Sequence, residues 1–199
     1  MHCCQPGNTS SSVMTKTDYA LAPAVELYLR RGAERRLRGG HLWVFSNEID
    51  TARSPLGDFA AGDLVCVRDA AGAALGSAYM EPQSLICARL YAPGEQLPLD
   101  ESLFAARLAA ALAGREAAFD RPFYRLVYGD SDTLPGIVID RFGDYLVVQL
   151  NNEGIERHQA GLLAALVAQL QPRGILLRGD SRSRRERSEE RRIGKECRS

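Results

Sequence analysis

Two groups of residues have the types and spacing to do chemistry. The first is a basic run, Arg30, Arg31, Arg35, Arg36 and Arg38, placed immediately before His41 and Trp43. Guanidinium groups contact phosphates, and a neighbouring imidazole and indole offer surfaces for stacking or shape reading, so these seven residues are candidates for RNA binding. The bland alternative leaves the arginines solvated, and for Trp43 a place in a hydrophobic core is the favoured reading. The second group is Asp130, Asp132 and Asp140, in or beside the turn Gly129-Asp-Ser-Asp-Thr-Leu-Pro-Gly136. Carboxylates this close could form an acid/base pair or a cation cluster. No histidine accompanies them, however, and aspartate commonly bonds its own backbone in turns, so a structural role is expected. The cysteines, at positions 3, 4, 66, 87 and 197, lack CxxC spacing and a histidine pair, and no metal site is expected. Cys66 and Cys87 sit in the apolar runs Leu-Val-Cys-Val and Leu-Ile-Cys-Ala and read as buried thiols, not nucleophiles.

The elements that must position these groups can be read from periodicity. Residues 1–23 lack it and are expected to be a disordered leader, with Met14 as a second possible start. Val25, Leu27 and Leu29 alternate with polar neighbours as in a half-buried strand, and Arg31 to Gly40 fits one or two helical turns. Leu64 to Arg68, Ala74 to Tyr79 and Leu85 to Tyr91 read as further strands, and short strands at this spacing suggest a small barrel. Pro93, Gly94 and Pro98 mark a linker. Asp100 is then a candidate N-cap for an amphipathic helix to about Ala118. Three strands follow, Tyr124 to Tyr128, Ile137 to Asp140 and Tyr145 to Leu150, the last two joined by the tight turn Arg141-Phe-Gly-Asp144. A helix from Ile155 to Leu170 and a strand at Ile175-Leu-Leu177 close the patterned region.

The chain of 199 residues has 45% apolar residues and zero formal charge. The segment Arg182 to Ser199 holds eight of the 25 basic and four of the 25 acidic residues, which leaves 17 basic against 21 acidic. Any nucleic-acid binding by the body must therefore come from a local patch. No window reaches the roughly 18 apolar residues of a membrane span, and no apolar signal core is present, so a cytoplasmic protein with reduced thiols and no membrane partner is expected. Arg187 to Ser199, RSEERRIGKECRS, resembles the in-frame translation of a common sequencing adapter, which implies a fragment whose tail has no selected function.

Three blocks resemble the S-adenosylmethionine-dependent ribosomal RNA methyltransferases that carry an N-terminal PUA domain and methylate cytosine C5 in large-subunit rRNA. They are Arg36 to Ile49, with Leu42 where the family has proline; Tyr124 to Gly143, with Thr133 where glycine is usual; and Ile175 to Ser181, with Gly179 where asparagine is usual. The resemblance implies an α+β chain: a PUA-like RNA-binding β-barrel over 24–95, a helix and β-hairpin linker domain over 96–181, and a tail over 182–199. It also implies ribosomal RNA as partner, and S-adenosylmethionine as cofactor of the full-length enzyme. The Rossmann-like domain, with its cofactor loop and catalytic cysteine, would lie downstream, so no catalytic or cofactor-binding residue and no bound cofactor is expected in this chain. Residues Tyr124 to Leu150 would act as a hinge piece between barrel and enzyme. The helix and strand after residue 150 would expose an apolar face. The rival readings are a stand-alone RNA-binding module with a genuine basic tail, and a hydrolase built on the aspartate loop. Nothing in the sequence indicates an oligomeric state.

Overall fold

The computed structural model describes residues 25–178. The expected leader, the basic tail and the last residues of the third block, from Gly179 onward, lie outside the described residues. Two sheets organise what is described.

The first sheet has the strand order β1-β3-β4-β5-β2. Strand β1 (Val25–Tyr28) runs parallel to β3 (Leu64–Arg68), β3 to β5 form an antiparallel meander through β4 (Ala74–Met80) and β5 (Ile86–Pro93), and β2 (Trp43–Phe45) adds to the far edge of β5. The helical turn α1 (Glu34–Arg38) buries Leu37 under the sheet. The barrel expectation is corrected in one respect. No ladder joins β1 to β2, and the sheet curls until its edges meet at a bridge between Leu29 and Ile49, flanked by bonds from Arg30 N to Glu48 O and Asp50 N to Tyr28 O. The cause is local. Strand β2 lasts three residues, shifts register between Val44 and Phe45, and gives way to the 3-10 turn Ser46–Glu48.

The second sheet has the order β6-β7-β8-β9, formed by Phe123–Tyr128, Ile137–Phe142, Tyr145–Leu150 and Gly174–Arg178. The expected hairpin is thus part of a larger mixed sheet, because β9 pairs parallel to β8. Helix α2 (Glu101–Ala118) begins as expected, with the Asp100 carboxylate accepting from Leu103 N at 3.0 Å. The single helix expected over 155–170 is two: α3 (Glu153–Glu156) and α4 (Gln159–Leu170). Asn152 caps the first by accepting from Ile155 N, and the break is held by His158, whose Nε2 donates to the Gly62 carbonyl at 2.8 Å. Helices α2 and α4 cover one face of the sheet, burying Phe104, Leu108, Leu162 and Leu166 against Leu126, Ile139, Leu146 and Val148. The expected exposed apolar face is limited to Val167, Leu176 and Leu177, since Ile155, Leu162, Ala165 and Leu166 are all buried.

The two sheets are not independent. Tyr79 and Tyr91 of the first belong to the core of the second, while Ala78, Met80 and Leu90 face the curled sheet's own interior. Strands β4 and β5 are therefore buried on both faces, which explains why they read as near-continuous apolar runs with no clean alternation.

Candidate nucleic-acid interface

The basic run leaves β1 and passes through α1, so its side chains fan out around a single helical turn. Arg30, Arg31, Arg35, Arg38, His41 and Trp43 are exposed, and Arg36 is half-buried. The five arginines are not equivalent. Arg36 pairs with Glu48 at 2.9 Å and lies 4.7 Å over the Phe45 ring, and Arg38 pairs with Asp69 at 2.7 Å. Amides of Ala73 and Ala71, together with Arg38, hold the Asp69 carboxyl below the usual carboxylate range against the opposing effect of burial. Arg30 spends its Nε on the neutral Ile49 carbonyl and makes no ion pair among the described residues. Arg31 and Arg35 make no ion pair among the described residues. The positive charge available to a phosphate therefore centres on Arg30, Arg31 and Arg35 rather than on the run as a whole.

Trp43 corrects the sequence reading. It is 39% exposed rather than in the core, and its indole Nε1 donates to Asp130 Oδ2 at 2.8 Å across 87 residues of sequence. Sequence reasoning missed its neighbour Arg89, whose guanidinium stands 5.7 Å from the Trp43 ring. The available signal was a lone cation in the apolar strand Cys-Ala-Arg-Leu. Arg89 and Asp130 line a cleft of about 340 Å³ along the seam between the sheets, with Tyr128, Ser131 and Asn151 among its other walls.

Each of the three aspartates has a partner within the fold, by several routes. Asp132 accepts two bonds from Arg115 Nη2, at 3.0 and 2.8 Å, and one from the Tyr128 amide at 2.6 Å. Asp140 takes a bidentate pair from Arg125, at 2.8 and 3.2 Å. The backbone-turn expectation holds for Asp132 and fails for Asp130, which serves Trp43 instead. Among the described residues no group of three His, Cys, Asp or Glu side chains could hold a metal. Thr133 adopts φ 55°, the left-handed conformation that explains glycine as the more usual residue in this motif. Cys66 and Cys87 are buried as expected, and burial pushes the Cys87 thiol up to about 12, so it stays protonated.

The loop carrying these aspartates is fastened to the first sheet. The Tyr79 hydroxyl donates to the Pro135 carbonyl at 3.0 Å and accepts from Asn152 Nδ2 at 3.1 Å, and burial raises its phenol well above the ordinary value. Gly136 has φ 78°, and a Cβ there would meet Asn152 Nδ2 at 2.5 Å and the Tyr79 hydroxyl at 2.8 Å. The Gly154 amide donates to Glu81 at 2.8 Å. The stretch Tyr124 to Leu150 is thus clamped to the first sheet at this loop.

Among the described residues, the turn that follows the parallel strand β8 does not fit S-adenosylmethionine. A class I cofactor site needs a glycine turn at the end of a parallel strand, leading into a helix. The turn from β8 into α3 reads Asn151-Asn152-Glu153-Gly154, and a Cβ on Gly154 would lie 2.7 Å from the Tyr79 ring, so the space beside it is filled by the first sheet. Among the described residues no helix is long and apolar enough to cross a membrane.

A family model described as a PUA-like domain matches residues 27–93. The ribosomal RNA large subunit methyltransferase I of Shewanella denitrificans is 38% identical over 165 residues, covering 81% of this chain and 41% of that protein. Its Pseudoalteromonas translucida counterpart is 34% identical over 157 residues, covering 77% and 39%. The chain thus spans about two-fifths of the length of these relatives. A Streptococcus mutans structure described as a candidate S-adenosylmethionine-dependent methyltransferase shares the fold, with TM-score 0.65 and 21% identity over 77% of this chain and 41% of its own.

Proposed function

We propose, from its place in the family of ribosomal RNA large-subunit methyltransferases, that this chain supplies the RNA-holding N-terminal portion of such an enzyme. The PUA-like sheet presents Arg30, Arg31 and Arg35 to the phosphate backbone, and the docked second sheet carries the reaction centre's remaining domain at a fixed angle to the bound RNA. The observation that carries this reading is the exposed charge of Arg31 and Arg35 in and just before the α1 turn, without an ion pair among the described residues, beside an exposed His41 and Trp43. Unpaired guanidinium groups at a surface gain by displacing phosphate counterions, whereas arginines already held by carboxylates gain little. The whole enzyme's reaction is methyl transfer from S-adenosylmethionine to cytosine C5, carried out in the cytoplasm on large-subunit rRNA.

The test is binding of the purified chain to transcribed segments of large-subunit rRNA, with unrelated structured RNA of matched length as competitor. Saturable binding to at least one segment, resisting the competitor, is expected. Equal displacement by unrelated RNA on every segment would overturn the rRNA assignment.

A further inference from the structure

Two residues that line the seam cleft each hold a buried polar atom with no hydrogen-bond partner among the described residues: Asp130 at Oδ1 and Arg89 at Nε. Unsatisfied buried groups are costly, and since both belong to side chains that line one cleft, a small turn of either side chain towards a ligand offering the reverse of each would relieve that cost. Asp130 and Arg89 form no ion pair with one another, so neither cancels the other's demand. The surroundings suit a flat ring. Tyr128, 57% exposed, lines the cleft, and Trp43 is fixed at its edge through its bond to Asp130 and its contact with Arg89. The volume of about 340 Å³ lies near the lower end of the roughly 300–1,000 Å³ range of small-molecule sites, ample for a base and its sugar.

Resting on the RNA-binding reading, we infer that this cleft receives one unstacked nucleobase of the bound RNA, and that guanine fits it best. Guanine's N1–H and N2–H donate to the Asp130 carboxylate while O6 accepts from Arg89. The other bases also offer a donor and an acceptor, but none places two adjacent donors against a carboxylate. Single-stranded bases are commonly captured in this way, stacked on aromatic or guanidinium planes and read at an exposed edge. The site is distinct from Arg30, Arg31 and Arg35: those contact the backbone without regard to sequence, whereas the cleft reads a base.

Trp43 is the only tryptophan of the chain, so its fluorescence reports directly on the cleft. The experiment titrates the full chain with two single-stranded oligonucleotides, one all uridine and one identical except for a central guanosine. Tighter binding of the guanosine strand by about fivefold or more is expected, the scale of one bidentate base contact. In the variants Asp130→Asn and Arg89→Gln, used in parallel in case one folds poorly, that ratio should fall towards one. Equal binding of both strands by the parent protein, or a preference unchanged in both variants, would overturn the cleft assignment while leaving the RNA reading intact. Failure of both strands to bind at all would overturn both.

Discussion

Two helical glycines make opposite predictions from one rule, and the pair tests whether the two sheets are docked. Gly114 lies exposed in α2, and a Cβ there meets nothing within 4 Å. Gly114→Ala should stabilise the protein by about 0.5–1 kcal/mol through lower unfolded-state entropy and better helix propensity. Gly154 in α3 should gain by the same mechanism, but its Cβ would stand 2.7 Å from Tyr79 Cδ2 and 2.8 Å from the Met80 carbonyl. Neither neighbour can give way easily. Tyr79 is fully buried with its hydroxyl bonded on both sides, and Met80 lies in a strand paired on each edge. Overpacking of this kind costs about 1–3 kcal/mol, so Gly154→Ala should be destabilising by about 1–2 kcal/mol after the propensity gain is subtracted. Urea midpoints at unchanged slope are the measurement, and a thermal scan should show roughly 2–8 °C lost for Gly154→Ala and a small rise for Gly114→Ala. If both variants are stabilised alike, α3 does not pack on the first sheet and the clamp is refuted.

Tyr79→Phe should cost about 2–4 kcal/mol by orphaning the Pro135 carbonyl and the Asn152 amide, measurable by the same urea titrations; a loss below about 0.5 kcal/mol would contradict the buried pair of bonds. Asp132→Asn should lower stability through Arg115 and the Tyr128 amide, and calorimetry with divalent cations should show no binding before or after the change. Asp69, whose folded carboxyl titrates below its unfolded value, contributes stability that is present above about pH 4 and is lost as pH falls through the folded value. The acid-unfolding profile of Asp69→Asn should therefore be flatter below about pH 4 than that of the parent. Cys66 and Cys87 should resist iodoacetamide at pH 8 until the chain is denatured, read by peptide mass; rapid native labelling would contradict their burial.

Much of the fold was legible because local pattern and tertiary burial agree. Val25, Leu27 and Leu29 alternate, and Asp100 caps where a short acceptor before an apolar run should cap. What was illegible was set by partners distant in sequence. The break between α3 and α4 depends on His158 reaching Gly62, 96 residues away, and no helix-stop residue announces it. Trp43 looked like core because Leu42, Val44 and Phe45 surround it, yet strand alternation puts it opposite the buried Val44, where Asp130 meets it. The basic run was visible as charge, but its division into paired and unpaired arginines was not, because Glu48 and Asp69 lie 12 and 31 residues away from their partners. Closure of the first sheet was equally hidden, since it turns on where a three-residue strand ends.

That division gives the most direct test of the account. The salt dependence of binding to a large-subunit rRNA segment should be compared for the parent, Arg31→Ala/Arg35→Ala and Arg36→Ala/Arg38→Ala. Each phosphate contact contributes about 0.7–0.9 to the slope of log affinity against log salt, so losing Arg31 and Arg35 should flatten it by about 1.4–1.8. The Arg36/Arg38 change, which removes charges already held by Glu48 and Asp69, should leave it nearly unchanged. An unaltered slope without Arg31 and Arg35 would contradict the claim that this turn holds the RNA.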